Sequence, residues 1–135
     1  MTIHKTLITA LIALTTLPSM VHAQVRINEV AWMGAEGNAN AEWIELYNEG
    51  TDTLSLSNWT LVSSTGTPSI TLTGSILGGG FYLLTRTSAT ILPGVTGDQV
   101  YTGALSNGGA SLTLADASGA QVDFVEGGTN WETIG

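Results

Sequence analysis

The side chains that could do chemistry in this sequence are almost all oxygen donors or aromatic rings. After residue 23 the chain has no histidine, cysteine or lysine, and Arg26 and Arg86 are its only cations. A histidine or lysine base, a cysteine nucleophile and a zinc ion held by nitrogen or sulfur are therefore excluded from that part of the chain. The composition predicts a protein that is not an enzyme and has no catalytic cofactor.

Carboxylate pairs and serines are the remaining catalytic candidates. Glu42 and Glu45 lie on one predicted strand, and their odd spacing places the two side chains on opposite faces. A glycosidase needs two acids facing each other across a cleft, and nothing in the sequence selects such a pair from the eleven acidic residues. Turn serines such as Ser57 and Ser106 have no histidine or lysine to activate them.

Calcium is the one metal ion that oxygen ligands alone would suit in an oxidising compartment. Two sets of polar residues are candidates, and neither has the spacing of an EF-hand loop. They are Asp116, Ser118 and Asp123 around a predicted hairpin, and Glu36, Asn38 and Asn40 in a polar loop. The alternative interpretation is that Asp116 caps a turn and that the asparagines belong to a flexible loop.

Trp43 and Tyr47 are the candidate ligand-binding residues. They alternate with Ile44 and Leu46 along the second predicted strand. If the aliphatic pair faces the core, the aromatic pair lies on the opposite face and is at least partly exposed. Exposed rings on a sheet can stack on sugars or contact peptides. The alternative is that a loop or the first strand covers both rings.

Short β-strands would position all these residues. Runs of Thr, Val, Ile, Leu and aromatic residues alternate, and Gly, Asn, Asp or Ser separates them, with hairpin signals at Asn107-Gly108 and Ser118-Gly119. This pattern predicts an all-β, antiparallel sandwich. The predicted strands span residues 25–32, 42–48, 54–56, 59–63, 70–72, 81–86, 99–102, 111–115 and 121–125.

The first strand contains a conflict of parity. Val25 and Ile27 share one face, but Val30 and Trp32 share the other. A bulge at Asn28-Glu29 would let both apolar pairs reach one core. The predicted core residues are Ile44, Leu46, Trp59, Leu61, Ile70, Leu72, Leu83, Leu112 and Leu114.

Residues 1–23 have the pattern of a cleavable signal peptide. Lys5 gives a positive start, residues 7–17 are apolar, and Val21-His22-Ala23 fits the cleavage site. The apolar run would span about 16 Å as a helix, too short for a bilayer, although a membrane anchor is the alternative. We expect a mature domain of residues 24–135 that is secreted, periplasmic or at the cell surface and does not insert into a membrane.

The mature chain is strongly acidic. Two arginines against eleven Asp and Glu residues give a net charge of −9 for residues 24–135. Such a surface repels nucleic acids and anionic lipids. It suits solubility, divalent cations or cationic partners.

Five segments of the mature chain resemble the lamin tail domain, in its bacterial, exported branch. They are Ile27–Val30, Glu42–Asn48, Leu56–Leu61, Gly78–Leu84 and Tyr101–Gly109. The resemblance implies an immunoglobulin-like β-sandwich, a module often found beside other extracellular domains, including hydrolases and nucleases. In such proteins the domain commonly continues beyond the position of Trp131. This implies a domain that is incomplete at its C-terminus, with an edge strand left open for self-association.

Together these features predict a secreted or cell-surface binding or adhesion module. Its expected partner is an extracellular or surface protein or a glycan, and not a nucleic acid. Two alternatives stay open. One is an accessory domain of a larger secreted hydrolase or nuclease, and the other is a structural surface protein that polymerises through its edge strands.

Overall fold

The computed structural model describes residues 24–133, and these form ten β-strands and one 3-10 turn. The strands are β1 Val25–Ala31, β2 Trp43–Asn48, β3 Leu54–Ser55, β4 Thr60–Ser63, β5 Ser69–Thr71, β6 Ser75–Ile76, β7 Phe81–Arg86, β8 Gln99–Tyr101, β9 Ser111–Ala115 and β10 Gln121–Glu126, followed by the turn Thr129–Trp131. The predicted signal peptide, residues 1–23, lies outside the described residues. No helix within 24–133 has the length and apolar character needed to cross a membrane.

Two four-stranded sheets form a sandwich. The first sheet has the order β1-β2-β7-β8 and the second has the order β10-β9-β4-β5, while β3 and β6 form a separate two-stranded ribbon. The predicted all-β, immunoglobulin-like sandwich is therefore confirmed. Among the described pairs, β8 on β7 is parallel and the others are antiparallel. Parallel neighbours need a long crossover connection, and residues 87–98 provide it between β7 and β8.

The bulge predicted in β1 is present. Ile27 lies opposite Leu46 and Glu29 lies opposite Glu45, so Asn28 is the extra residue. Because of this insertion, Ile27 is buried and Val30 packs against the same core. One additional residue therefore resolves the conflict of parity along the strand.

The core lies between the inner faces of the two sheets. Seven of the nine predicted core residues are buried there, namely Ile44, Leu46, Leu61, Ile70, Leu72, Leu112 and Leu114. Leu83 was predicted wrongly: Tyr82 and Leu84 take the inner positions of β7, so Leu83 faces outward and is half-buried. Trp59 is also only partly buried, because it ends the turn before β4 and packs on the margin of the core.

Trp131 closes one end of the core. Its side chain is 1% exposed, and its ring stacks on Trp32 with 6.4 Å between ring centroids. Its Nε1–H donates to the carbonyl of Ser106 over 2.6 Å. A Cβ at Gly127 would collide with the Trp131 ring, so the backbone passes the ring only because residue 127 is glycine.

Polar side chains connect the two sheets at both open sides of the sandwich. On one side, the Asp123 carboxylate of β10 accepts from the N–H of Ile27 in β1 over 2.7 Å. On the other side, the Gln99 amide of β8 donates to the carbonyl of Thr71 over 2.9 Å and accepts from the N–H of Thr73 over 3.0 Å. These contacts occupy backbone N–H and C=O groups with which a strand of another molecule could otherwise form hydrogen bonds.

Candidate functional site

The outer face of the first sheet carries both predicted binding residues, Trp43 and Tyr47. Residues that are paired across neighbouring strands share a face, so the registers define rows of side chains. We call this surface the outer face. Its rows are Arg26–Tyr47–Phe81, Glu29–Glu45–Leu83 and Ala31–Trp43–Thr85–Val100.

An aromatic pair on the outer face combines a half-buried and an exposed ring. The rings of Tyr47 and Phe81 lie 4.8 Å apart between centroids, at 32° to each other, and Phe81 is 57% exposed. The Arg26 guanidinium lies 5.3 Å from the centre of the Tyr47 ring and forms an ion pair with Glu49 at 2.9 Å. Phe81 was missed from the sequence because its contact with Tyr47 depends on the register of β2 against β7.

Trp43 and Tyr47 do not form one compact site. Both are half-buried, so neither is fully covered by a loop or by β1. A spacing of four positions along the strand places them about 13 Å apart, which is too far for both rings to contact one sugar ring. The ring that Tyr47 does pair with is Phe81, and Trp43 lies beside Ala31 and Thr85 instead.

Two carboxylates lie between the aromatic residues of the outer face. Glu29 and Glu45 are directly opposite each other on β1 and β2. The bulged residue Asn28 donates its side-chain N–H to Glu45 Oε1 over 2.8 Å. Glu42 directly precedes β2 and is 3% exposed, so it does not join Glu45 on the outer face.

Glu42, next to the first residue of β2, is a buried carboxylate that forms hydrogen bonds within the fold. Glu42 accepts from Arg86 over 3.1 Å and from the N–H of Leu105 over 3.0 Å. Tyr101, opposite Arg86 on β8, is 3% exposed. Burial, reinforced by the Glu42 charge, raises the pKa of the Tyr101 phenol well above its usual 10.0. The phenol therefore stays protonated at neutral pH.

The first set of residues considered for calcium stabilises a hairpin and a sheet contact. Asp116 Oδ1 accepts from the Ser118 N–H at 2.8 Å, the Ser118 hydroxyl at 2.6 Å and the Ala120 N–H at 3.0 Å. These hydrogen bonds, the one from the Ser118 side chain above all, hold the pKa of Asp116 below its usual 3.8. Asp123 is directed to the Ile27 amide instead, so Asp116 acts as the turn cap of the alternative interpretation.

The second set, in the polar loop, also shows local contacts. Asn38 Oδ1 accepts from the N–H of Asn40 over 3.0 Å, and Asn38 pairs with Ala35 across a short bridge. Within residues 24–133, no cluster of three or more His, Cys, Asp or Glu side chains could hold a metal ion. These loop contacts are those of a turn.

Two clefts lie at the open sides of the sandwich. One, of about 270 Å³, is lined by residues 27–30 of β1 and by Val125. The other, of about 220 Å³, lies between β5 and β8. Among the residues that line these two clefts, Glu29 alone is acidic. Neither cleft therefore presents the pair of acids that a glycosidase needs.

Comparison with known proteins agrees with this fold. The sequence model of the Lamin Tail Domain matches residues 18–129, and all five segments that motivated the resemblance lie within this range. A search of curated proteins gives no match. Because the matched range spans most of the sequence and the fold is an immunoglobulin-like sandwich, the chain belongs to the lamin tail domain family.

Proposed function

We propose that this protein is an exported, non-catalytic binding or adhesion module that contacts an extracellular or surface protein or glycan through its outer face. The observation that carries the proposal is the aromatic pair of half-buried Tyr47 and exposed Phe81. Aromatic rings exposed on a rigid surface are enriched where proteins bind partners. The two rings lie on paired central strands, so little conformational entropy is lost when they bind.

The inventory of side chains supports the non-catalytic part of the proposal. From residue 24 onward the chain offers no histidine, lysine or cysteine, and its buried phenol at Tyr101 is held in the protonated form. General acid–base catalysis near neutral pH needs a group that titrates there. Purified protein should therefore show no turnover in a panel of hydrolase substrates, and measurable turnover would overturn this part of the proposal.

Export is supported by the pattern of residues 1–23. Mass spectrometry of the exported protein should give a chain that begins at Gln24. An exported protein that still carries residues 1–16 would contradict signal cleavage.

Binding is tested on arrays of glycans and of surface proteins. The variant Phe81→Ala should weaken the hits by about tenfold, which corresponds to the loss of roughly 1.4 kcal/mol expected for an anchoring aromatic ring. Phe124→Ala is the matched control, because Phe124 is also an exposed phenylalanine, 43% exposed, but lies on the second sheet. Hits that survive Phe81→Ala and Tyr47→Ala, or that Phe124→Ala weakens equally, would show that the outer face is not the site.

A further inference from the structure

We infer that the outer face binds a protein segment that carries a lysine or arginine beside an apolar residue. The inference rests on the proposed function and names the class of partner for the same face.

The charges on the outer face are left in an unfavourable arrangement. Glu29 and Glu45 occupy directly opposite positions on neighbouring strands, where like charges destabilise a sheet. The Asn28 amide contributes one hydrogen bond to Glu45, but neither carboxylate has an ion-pair partner within residues 24–133. A cationic group placed between the two carboxylates would replace repulsion with attraction.

The chain cannot supply this cation from its own arginines. Arg26 is held against Tyr47 by its ion pair with Glu49. Arg86 lies on the opposite face of the sheet, where it pairs with Glu42. From residue 24 onward the sequence has no lysine. Neither arginine therefore neutralises the two carboxylates, and a basic side chain of a partner would do so.

The rings beside the carboxylates fit the rest of a basic side chain. Along β2, Glu45 is flanked on the same face by Trp43 and Tyr47. Lysine and arginine lay their methylene stems along apolar surface, and their charged ends are attracted to aromatic rings. The contact of Arg26 with Tyr47 shows this interaction within the chain itself.

An apolar residue next to the basic one in the partner segment would cover the apolar part of the outer face. Leu83 lies across from Glu45, and Phe81 lies across from Tyr47. These two side chains form an apolar strip beside the carboxylates. A neutral sugar could stack on Phe81 but would leave the opposed carboxylates without a cation, so the charges favour a basic peptide segment.

The inference is tested with a peptide array and the purified mature protein, residues 24–135. Each peptide places Lys or Arg beside Leu or Phe, and a matched peptide has Gln in place of the cation. Peptides with the cation should bind about tenfold more tightly than their matched partners, and added salt should weaken their binding. The double variant Glu29→Gln with Glu45→Gln should lose about tenfold in affinity, because each exposed ion pair between a carboxylate and the cation of the peptide contributes about two- to fivefold.

A matched control separates a site from general attraction to an acidic protein. The double variant Glu126→Gln with Glu132→Gln removes the same charge from exposed positions outside the first sheet and should change affinity by less than about twofold. The Glu29 and Glu45 variant should melt no lower than the unsubstituted protein, because it removes a repulsive pair. If it does unfold, Glu29→Gln alone carries the test, since the Glu29 side chain makes no hydrogen bond among the described residues.

The outcomes distinguish this inference from the proposed function. Equal losses in the two double variants, or no loss in either, would overturn the basic segment as partner. Binding of neutral glycans alone, weakened by Phe81→Ala, would keep the proposed function and exclude this class of partner. Absence of any binding that depends on Phe81 would remove both.

Discussion

At the scale of single residues, the two tryptophans Trp59 and Trp131 have different roles. Trp131 stacks on Trp32 and packs closely against Gly127, and its indole N–H donates to the carbonyl of Ser106. Trp59 instead covers the margin of the core from a turn. Their contributions to stability should therefore differ.

Replacing Trp131 by alanine should lower the free energy of unfolding by about 3–5 kcal/mol, because it leaves a large cavity and an unpaired carbonyl. Trp59→Ala should cost less, about 1–2 kcal/mol, since part of the ring already contacts solvent. Urea unfolding followed by circular dichroism measures both values. Equal losses would mean that the two rings are buried to the same extent.

Asp116 predicts a dependence of stability on pH. Its carboxylate form accepts three hydrogen bonds in the β9–β10 turn, and its pKa in the folded protein is lower than the usual 3.8. This stabilisation is fully present above the unfolded-state pKa and is lost as pH falls through the lower folded-state value. Asp116→Ala should therefore reduce the urea midpoint at pH 7 but not at pH 2. A constant difference across this range would exclude the carboxylate as the cause.

The candidate site could be predicted only in part. Trp43 and Tyr47 were found because alternation along one strand is a local property of the sequence. Phe81 and the opposition of Glu29 to Glu45 depend on which residues of neighbouring strands meet. That register is set by pairing over long sequence distances, and no local pattern carries it.

At the scale of elements, the bulge at Asn28 determines which side chains of β1 reach the core. It could be predicted because apolar pairs of opposite parity on one strand need an extra residue between them. Parity could not identify the inner face of β7, because apolar residues occupy both of its faces. Tyr82 and Leu84 point inward, and Phe81 and Leu83 point outward. The parallel pairing of β8 also had no local signal.

Deleting Asn28 should unfold the domain or leave it only marginally stable. Without the extra residue, either the segment with Val25 and Ile27 or the segment with Val30 must face solvent. Exposing the first pair would cost about 1.5–3 kcal/mol for each side chain, which is comparable with the total stability of a small domain. Thermal melting tests this, with Asn28→Ala as the control because it keeps the bulge. A deletion variant that melts like Asn28→Ala would show that the register is not fixed by the bulge.

The side chains that connect the two sheets also protect the edges of the sandwich. Asp123 and Gln99 occupy backbone groups at opposite open sides of the sandwich. The family resemblance implied self-association through an open edge strand, but these contacts lead us to expect that the unsubstituted protein remains monomeric. The double variant Gln99→Leu with Asp123→Ala should associate, because its edge groups become free to pair. Light scattering over a range of concentrations measures this.

The control for this experiment is Gln121→Leu with Asp52→Ala. It makes the same chemical changes at exposed positions where neither side chain makes a hydrogen bond among the described residues. Association of the control, or of the unsubstituted protein, would mean that Asp123 and Gln99 do not protect the edges.

The positions of the two arginines have a consequence for proteolysis. From residue 24 onward, a protease of trypsin specificity can cut only after Arg26 and after Arg86. Arg26 lies on the edge strand β1, which can open locally, whereas Arg86 lies on β7 inside the first sheet, with its side chain 19% exposed in an ion pair. Early tryptic cleavage should therefore occur after Arg26, and cleavage after Arg86 should follow the rate of global unfolding. Mass spectrometry of timed digests would distinguish the two, so a single protease reports both the fraying of one edge and the opening of the whole sandwich.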